Sequence, residues 1–479
     1  MKILFITAGL TPTRGASNSY QEALFEGLAA RGNQVACLCS AGVRLRPGVG
    51  WIGDQHEPYK RYTVFNGAVY PALYSQGGVG TRSPLRDVHS RRALSRSIID
   101  IVRLEQPDVV NIQSLFGLPF EVVEKIRCRG IPVVFTAHDY FAVCPTAHLF
   151  LLEERPCRLP AAELICHQCC EKSPSYKGFW LSYQLDRFAE SFASVPMIRN
   201  NVWRLRNLVK RLDRSAPLGR SEPEAYRTRR REAVSFLQRL DLIHCISHRQ
   251  AEVLQEICGP LANIRVLPLI PPTIKTIAPI VRRRAVVGDP VKFVALNVSA
   301  PHKGARLLEA VFRQLAETES DYELHVYGNY SPGPEIRSVV YHGRYCESDL
   351  DRIAAGADFL IIPSVCDETL GFVGLEMLSR GVPVLASSRA GMNEFIIPGE
   401  NGYVFDPDKP QPLSSLTTEL LQSPSARCLR TAGIPLPPSI KAFPDHLFDV
   451  EALFRVAAGP STIRGDLRSP GLELAGNRR

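Results

Sequence analysis

Residues 359–405 read FLIIPSVCDETLGFVGLEMLSRGVPVLASSRAGMNEFIIPGENGYVF, and the order of residue types in them decides the fold. Phe359 to Ile362 is an apolar run of the length and type of a buried strand. Pro363 and Ser364 end it, and Glu368 follows in the next loop. Glu376 comes later, in a segment (Phe372 to Arg380) whose Phe372, Leu375, Met377 and Leu378 read as one apolar helix face. Gly381 stops that helix, and Val382 to Ser387 (VPVLAS) reads as the next buried strand. The unit is a strand, a loop with one carboxylate, a helix with another, and a further strand. In a parallel sheet such a loop sits at the carboxyl end of its strand, where open α/β sheets bind ligands. Gly371, Phe372 and Val373 open the helix, so their unpaired N–H groups and the helix dipole favour a phosphate there.

Two carboxylates beside an anion site fit one ligand only if it carries hydroxyls as well as phosphate. A nucleotide sugar carries both, and an ionised Glu accepts from two neighbouring hydroxyls of a ribose or hexose. The stretch resembles the Glu-x7-Glu signature of the family-4 glycosyltransferases, retaining enzymes with the GT-B fold. The resemblance rests on Pro363-Ser364 before the first Glu, on Gly371, on GVPVLA (381–386), and on AGMNE (390–394) followed by GENGYVF (399–405). It implies an α/β architecture of two Rossmann-like domains facing across a cleft, with the donor on the second. It also implies that Glu368 contacts the donor sugar and that Glu376 holds the ribose. The two Glu alone carry little weight, because charged pairs on solvated helix faces are common; the context makes them specific.

At 479 residues the chain is too long for one ordinary core. Its 45% hydrophobic and 22% charged residues are those of a soluble globular protein. The opening MKILFITAGL reads as a buried strand running into a glycine loop, too short for a signal-peptide core. No apolar run approaches the roughly 20 residues of a membrane span. The expectation is a cytoplasmic protein, peripheral on the cytoplasmic face of a membrane if its acceptor is lipid-linked. The net charge of +9 is a mild excess, but it is concentrated between Met197 and Glu232, where basic residues alternate with Trp203, Leu205, Leu208, Val209 and Leu212. Such a segment lies on an anionic bilayer, with Trp203 as an interfacial anchor and Arg229, Arg230 and Arg231 among the surface cations, grips nucleic acid, or is a solvated helix pair. No nucleic-acid-binding module accompanies it, so nucleic acid is the weakest of the three.

Thirteen cysteines without a secretion signal argue against a disulfide framework. Cys37, Cys39, Cys245, Cys258, Cys346 and Cys366 read as small buried apolar residues. Cys144, Cys157, Cys166, Cys169 and Cys170 crowd together. Cys166-x2-Cys169 is half of a zinc knuckle, and Cys144 with Cys157 would complete a tetrahedral thiolate site for a structural zinc. His148 and His167 compete as ligands, and reduced, partly buried thiols are the alternative. A similar Cys-rich insertion occurs in a subset of the family the chain resembles.

Lys2 to Thr7, Tyr20 to Arg31 and Gln34 to Cys39 form a βαβ opening. The dinucleotide fingerprint is absent, which argues against NAD or FAD. The resembled family commonly has a Gly pair in this first loop; here Gly15 remains, with Ala16 beside it, and a plain surface turn is the alternative. The stretch from Gly42 to Ser90 shows no clear periodicity. Later strands are expected at Pro107–Ile112 and Ile131–Thr136. The second ends in Thr136-Ala137-His138-Asp139, similar to the family's T-x-H-D, whose His faces donor sugar and acceptor. That resemblance assigns His138 to the acceptor side. Val291 to Leu296 opens a second βαβ series and leads to Lys303-Gly304, where the family has a Lys on the donor pyrophosphate. An Arg commonly accompanies that Lys a few residues earlier; Val298 stands in its slot.

The domain plan is therefore an N-terminal acceptor-side domain (1–275) with the Cys-rich insertion (144–170) and the basic helical segment (197–232). A linker (276–290) and a nucleotide-sugar domain (291–440) follow, then a tail helix crossing back to the first domain (441–460) and a disordered tail (461–479). The resemblance implies transfer of a hexosyl group from a nucleotide-diphosphate sugar, of UDP or GDP type, to a hydroxyl of a saccharide or lipid-linked acceptor, with retention and no cofactor for catalysis. Polysaccharide, glycolipid or cell-envelope glycan synthesis is the setting expected. Two rivals stay open: a nucleotide-sugar epimerase or hydrolase of the same fold, and a non-catalytic binding subunit. Incubating candidate donors without an acceptor separates the first; the retained Glu368, Glu376, Lys303 and His138 weigh against the second.

Overall fold

The structure is a computed structural model. It describes the chain except residues 8–15, 41–48, 57, 67–69, 72–87, 116–117, 119, 152–154, 158–164, 167–168, 171–180, 182–184, 186–195, 216–222, 278–288, 319–320, 330–334, 423–433 and 460–479. Gly15, His167, most of the expected linker and the expected disordered tail lie outside the described residues.

The first domain is built on β1 (Lys2–Ile6), β2 (Gln34–Ser40), β3 (Val49–His56), β4 (Tyr59–Asn66), β5 (Tyr70–Pro71), β6 (Val109–Ile112), β7 (Val133–Ala137), β8 (Leu242–Cys245) and β9 (Ile264–Val266). Their order in the sheet is β3-β4-β2-β1-β6-β7-β8-β9, with β5 on β4. From β4 to β9 every pair on that path is parallel. Only the edge pairs β3·β4 and β4·β5 are antiparallel. Parallel strands covered on both faces are apolar throughout, and β1, β6 and β7 have almost no exposed residue. The edge hairpin is what the stretch 42–90 concealed. In β4 the buried residues are Tyr59, Tyr62 and Val64, with Lys60 exposed and Arg61 and Thr63 partly so. An aromatic, basic and hydroxyl mixture in a strand of that hairpin carries a weak period-two signal.

The second sheet contains β10 (Val291–Leu296), β11 (Tyr322–Tyr327), β12 (Val339–Gly343), β13 (Phe359–Ile362), β14 (Val384–Ser387) and β15 (Gly402–Phe405) in the order β12-β11-β10-β13-β14-β15. All its pairs are parallel. The chain starts in the middle, winds one way to β12, then crosses back to β13 and winds the other way. The loops after β10 and β13 therefore diverge, leaving a crevice at the carboxyl ends of these two strands. Lys303 follows β10 and Glu368 follows β13, so the topology alone brings them together.

The basic segment forms two helices, Pro196–Ser215 and Pro223–Arg239. Three expectations need correction here. Met197 (73% exposed), Leu205, Leu208 and Leu212 (61% exposed) share one outward helical face. Trp203 lies on the other side, its ring 5.4 Å from the Arg206 guanidinium, and does not belong to that stripe. Arg229 is not a surface cation: it is 8% exposed, stacks 4.7 Å over the Phe141 ring and donates to the carbonyls of Phe141 and Ala142. Cys346, expected inside, is exposed. Among the described residues no helix is long and apolar enough to cross a membrane.

Helix Phe443–Ala458 packs against helix Ala16–Ala30, β6 and β7 of the first domain. It buries Leu447, Val450 and Phe454 in a cluster that contains residues of both domains. The Phe454 ring lies 5.9 Å from that of Phe5, edge to face. Polar contacts fix its register: Tyr20 Oη to His446 Nε2 at 2.9 Å, and Arg31 to Glu451 at 2.9 and 3.0 Å. Phe454→Ala should cost about 3–5 kcal/mol, because a fully buried ring leaves a cavity that the β1 side cannot close. Urea unfolding followed by tryptophan fluorescence measures this; a loss under about 1 kcal/mol would show the strap to be dispensable.

Candidate active site between the two sheets

The carboxyl ends of both sheets face each other. His138 follows β7 and Ser247 follows β8, and both meet the loop after β13. Ser247 Oγ donates to the Thr369 carbonyl at 2.6 Å, and Thr369 Oγ1 donates to the His138 carbonyl at 3.1 Å. Arg249 holds Asp367 with two bonds, of 2.9 and 3.1 Å, and the Asp367 side chain is 0% exposed. His248 meets Glu394 at 2.9 Å. Sequence reading missed Ser247, Arg249, Asp367 and Thr369; the polar residues directly after a strand were the available signal.

Glu368 sits at the centre. One carboxylate oxygen is paired with Lys303 Nζ and the other accepts from Ser364 Oγ. Burial raises its pKa, but the Lys303 charge and these hydrogen bonds outweigh that and hold it below the usual range. The same pairing, against desolvation, lifts Lys303. Gly304 permits the approach: its φ is +83°, and a Cβ there would lie 1.7 Å from the Pro363 carbonyl oxygen. Only glycine tolerates both demands.

Glu376 lies in helix Phe372–Leu378, which spans seven residues and ends before the expected Arg380. Gly371, at its start, has φ +99°. So short a helix contributes little dipole; what Gly371, Phe372 and Val373 can offer an anion is N–H groups. One Glu376 oxygen accepts from Thr273 Oγ1 at 2.7 Å. Burial nevertheless pushes its pKa up, a cause that Thr273 and Arg380 only partly offset. A carboxylate in that condition is short of donors, and sugar hydroxyls are donors.

His138 is part-buried and ends a directed chain of hydrogen bonds across β6, β7 and β8. His244 Nε2 lies 2.7 Å from the Leu267 carbonyl, which can only accept, so Nε2 carries the proton and Nδ1 is the acceptor. Thr136 Oγ1 then donates to His244 Nδ1 (3.3 Å) and accepts from Asn111 Nδ2 (3.0 Å). Asn111 Oδ1 accepts from Gln113 Nε2, and Gln113 Oε1 accepts from His138 Nε2 at 2.5 Å. The remaining nitrogen, His138 Nδ1, is a lone-pair acceptor. Burial, then the neighbouring His244, bring the His138 pKa down to about 3, so the ring is neutral. A neutral imidazole with a fixed acceptor nitrogen is suited to a hydroxyl.

Among the four proposed zinc ligands, Cys144 and Cys157 are buried and Cys166 and Cys169 part-buried. Burial, then Cys144 and other nearby thiols, push Cys166 up to about 12. Cys170 also rises to about 12, chiefly through burial. Among the described residues, no three His, Cys, Asp or Glu side chains are grouped to hold a metal ion. His148 is turned away from the thiols and stacks on His302 across the cleft. Val298, in the slot of the missing Arg, is buried in the second domain's core.

Residues 291–423 match the family model described as glycosyl transferases group 1. A lipopolysaccharide 1,2-N-acetylglucosaminetransferase of Salmonella typhimurium is 30% identical over 121 residues, which are 22% of this chain and 32% of that protein. The match thus spans about a third of that relative's own length. Among solved structures, a sucrose-phosphate synthase from Thermosynechococcus elongatus aligns with TM-score 0.56 and 15% identity over 95% of this chain and 98% of the other. Anabaena HepE in complex with UDP and glucose aligns with TM-score 0.52 and 14% identity over 95% and 99%. The fold is GT-B. The sequence likeness is thus concentrated on the second domain, and the structural likeness extends across both.

Proposed function

We propose that the protein is a retaining glycosyltransferase that moves a hexosyl group from a nucleoside-diphosphate sugar to an acceptor hydroxyl. The observation that carries this is the placement of Lys303, Glu368 and Glu376 at the crevice between β10 and β13, with neutral His138 opposite. The family match over 291–423 supports the transferase class, and HepE, a neighbour in fold, has UDP and glucose bound. Glu376, short of donors, takes the ribose hydroxyls. Lys303 and the N–H groups around Gly371 take the diphosphate, UDP or GDP being the nucleotides expected. Glu368 takes hydroxyls of the transferred sugar, and His138 Nδ1 accepts from a hydroxyl on the first-domain side. As the bond from the anomeric carbon to the diphosphate oxygen breaks, its electron pair leaves with the diphosphate and meets the Lys303 charge. The acceptor oxygen bonds to the same face of that carbon, and its proton passes to the departing phosphate oxygen.

Glu376→Ala should weaken nucleoside diphosphate binding by about 1.5–3 kcal/mol, the cost of losing a charged hydrogen-bonding group. Glu368→Ala should lower turnover more than nucleotide affinity. Titration calorimetry with UDP and GDP, alongside turnover with a nucleotide sugar, tests the division; equal loss of nucleotide affinity in both variants would refute it.

We also propose that the acceptor is lipid-linked and that helix Pro196–Ser215 is the contact with an anionic membrane. Its exposed stripe of Met197, Leu205, Leu208 and Leu212 is flanked by exposed Arg204 and Arg211. Each basic residue near such a surface is worth about 1 kcal/mol, decaying within a Debye length. The protein should pellet with anionic vesicles at low salt and be released at roughly 0.5 M salt. Arg204→Glu with Arg211→Glu should abolish pelleting without changing nucleotide affinity, whereas equal binding to neutral vesicles would sink the idea.

For the Cys-rich insertion we propose a structural zinc whose binding would draw together Cys144, Cys157, Cys166 and Cys169, which are near one another but not grouped as a metal site without it. The support is Arg229, a buried cation that donates to the Phe141 and Ala142 carbonyls and whose charge acts on Cys144, Cys166 and Cys170 as well as on Asp139. A zinc thiolate site carries the negative charge that would match it. Metal analysis of untagged protein should give about one zinc per chain, and Cys166→Ser should lower both zinc content and melting temperature. Metal-free protein with an unchanged melting temperature in the variant would leave reduced thiols as the answer.

A further inference from the structure

The resemblance leaves the donor diphosphate one cation short, because Val298 occupies the slot of an Arg and is buried. We infer that His148, from the Cys-rich insertion, and His302, beside Lys303, together form the missing anion contact, taking up a proton when a nucleoside diphosphate binds. This rests on the reading of the crevice as the donor site.

The geometry is built rather than incidental. His148 is flanked by Ala147 (φ 65°) and Leu149 (φ 48°), two residues with a Cβ in the left-handed region. Such conformations are costly and persist only where the surroundings impose them. Here they are imposed by three backbone bonds: Tyr140 N–H to the Ala147 carbonyl (3.1 Å), Ala147 N–H to the Cys144 carbonyl (2.9 Å), and Cys157 N–H to the Leu149 carbonyl (2.7 Å). The turn so held reaches across the cleft. The His148 ring stacks on His302 with centroids 4.4 Å apart and planes 19° apart, and Phe150 meets His302 edge-on at 6.2 Å. His302 in turn is tied to the loop of Glu368, because its carbonyl accepts from the N–H groups of Val365 (3.1 Å) and Cys366 (3.3 Å). The insertion that sequence reading assigned only to zinc therefore places a side chain at the second domain's phosphate corner.

The charges facing the pair are Lys303 for both rings, and Glu368 for His302. Burial, then Lys303, keeps His148 down at about 4; burial, then His148 and Lys303, keeps His302 down at about 3, with Glu368 opposing. Both are neutral at pH 7 in the unliganded protein. A diphosphate brings negative charge against them, and a neighbouring opposite charge favours the protonated imidazole. Two rings in contact do not both protonate readily, so the expected uptake is about one proton per diphosphate. The sign follows: the pKa is raised in the complex, so the extra affinity is fully present below the free value near 4. It is lost as the pH climbs through the value in the complex.

The test is titration calorimetry with UDP, and with GDP as a second probe, at pH 6 and pH 8 in buffers of different ionisation enthalpy. The variants are His148→Phe and His302→Phe, singly and together; phenylalanine keeps the stacked ring and removes the basic nitrogen. Wild type should take up about one proton more than the double variant at the lower pH. Its affinity should fall roughly tenfold further between pH 6 and pH 8 than that of the variant. The nucleotide's own ionisation is common to both proteins and cancels in the difference. Equal proton uptake, or an affinity loss of the same size at both pH values, would mean the stack only packs the domains and would overturn the inference. Nucleotide binding by wild type with no such difference refutes this inference alone. Failure of wild type to bind either nucleotide refutes the donor-site reading as well.

Discussion

Three carboxylates, Asp367, Glu368 and Glu376, are withdrawn from solvent at the mouth of the second sheet, and each has to be matched where it stands. An unpaired buried charge costs several kcal/mol, more than the protein can spread over its other contacts. Each is answered differently. Asp367 is held by Arg249 of the first domain and Glu368 by Lys303 of its own domain; Glu376 has Thr273, from the segment that follows β9. Two of the three partners thus come from outside the second domain. At this point the domains are joined by a buried ion pair and a hydrogen bond from a neutral hydroxyl, in addition to the apolar core they share elsewhere.

The two walls of the cleft are unequal in consequence. The second-domain wall is charged, with Lys303 and Glu368 compensating each other. The first-domain wall presents His138, neutral and held in one tautomer by a chain that ends on the Leu267 carbonyl. Four buried polar side chains across three strands are a large commitment for orienting one ring, since each needs its partners satisfied. The commitment is understandable if the ring must accept a hydrogen bond without carrying charge. A protonated His138 would compete with Lys303 for phosphate. On the proposed reading, a neutral first-domain wall facing a charged second-domain wall would keep the diphosphate in the charged half.

Much of this was legible in the sequence, and the reason differs by element. The second sheet was readable because its strands are buried on both faces and its turns carry Gly and Pro, as at Gly381-Val382-Pro383. The meeting of Lys303 and Glu368 was readable because both follow buried central strands, whereas their roles and that of Glu376 rested on the family resemblance. The edge hairpin β3–β4 was not, because its Tyr, Lys and Arg residues mask the alternation. Trp203 was misplaced because an aromatic residue among basic ones suggests an anchor until its helical phase is taken into account. Arg229 was misread for a related reason: in a run of three arginines, only the fold shows that one points inward onto Phe141. The tautomer chain behind His138 is a contact between strands far apart in sequence, which no local pattern encodes. Asn111 and Gln113, polar residues in and just after a buried strand, were its only trace.

The domains are joined by two kinds of contact with different consequences for motion. On the side of helix Phe443–Ala458 the junction is apolar: Leu447, Val450 and Phe454 belong to one core shared with Phe5, Phe25 and residues of the second domain. Separating it would expose that surface to water at roughly 25 cal/mol for each Å². On the cleft side the junction consists of short polar contacts, Ser247–Thr369, Thr369–His138, Arg249–Asp367 and His248–Glu394. Water can replace most of these at a net cost of about 1 kcal/mol each, the buried Asp367 pair being the strongest. Widening the cleft would therefore break the polar side before the apolar one. The Phe443 N–H donates to the Ile274 carbonyl at 2.7 Å, so the segment after β9 and the start of the tail helix meet beside the apolar junction. The weaker junction is thus the one that lines the cleft, and the stronger is the apolar core shared by the two domains.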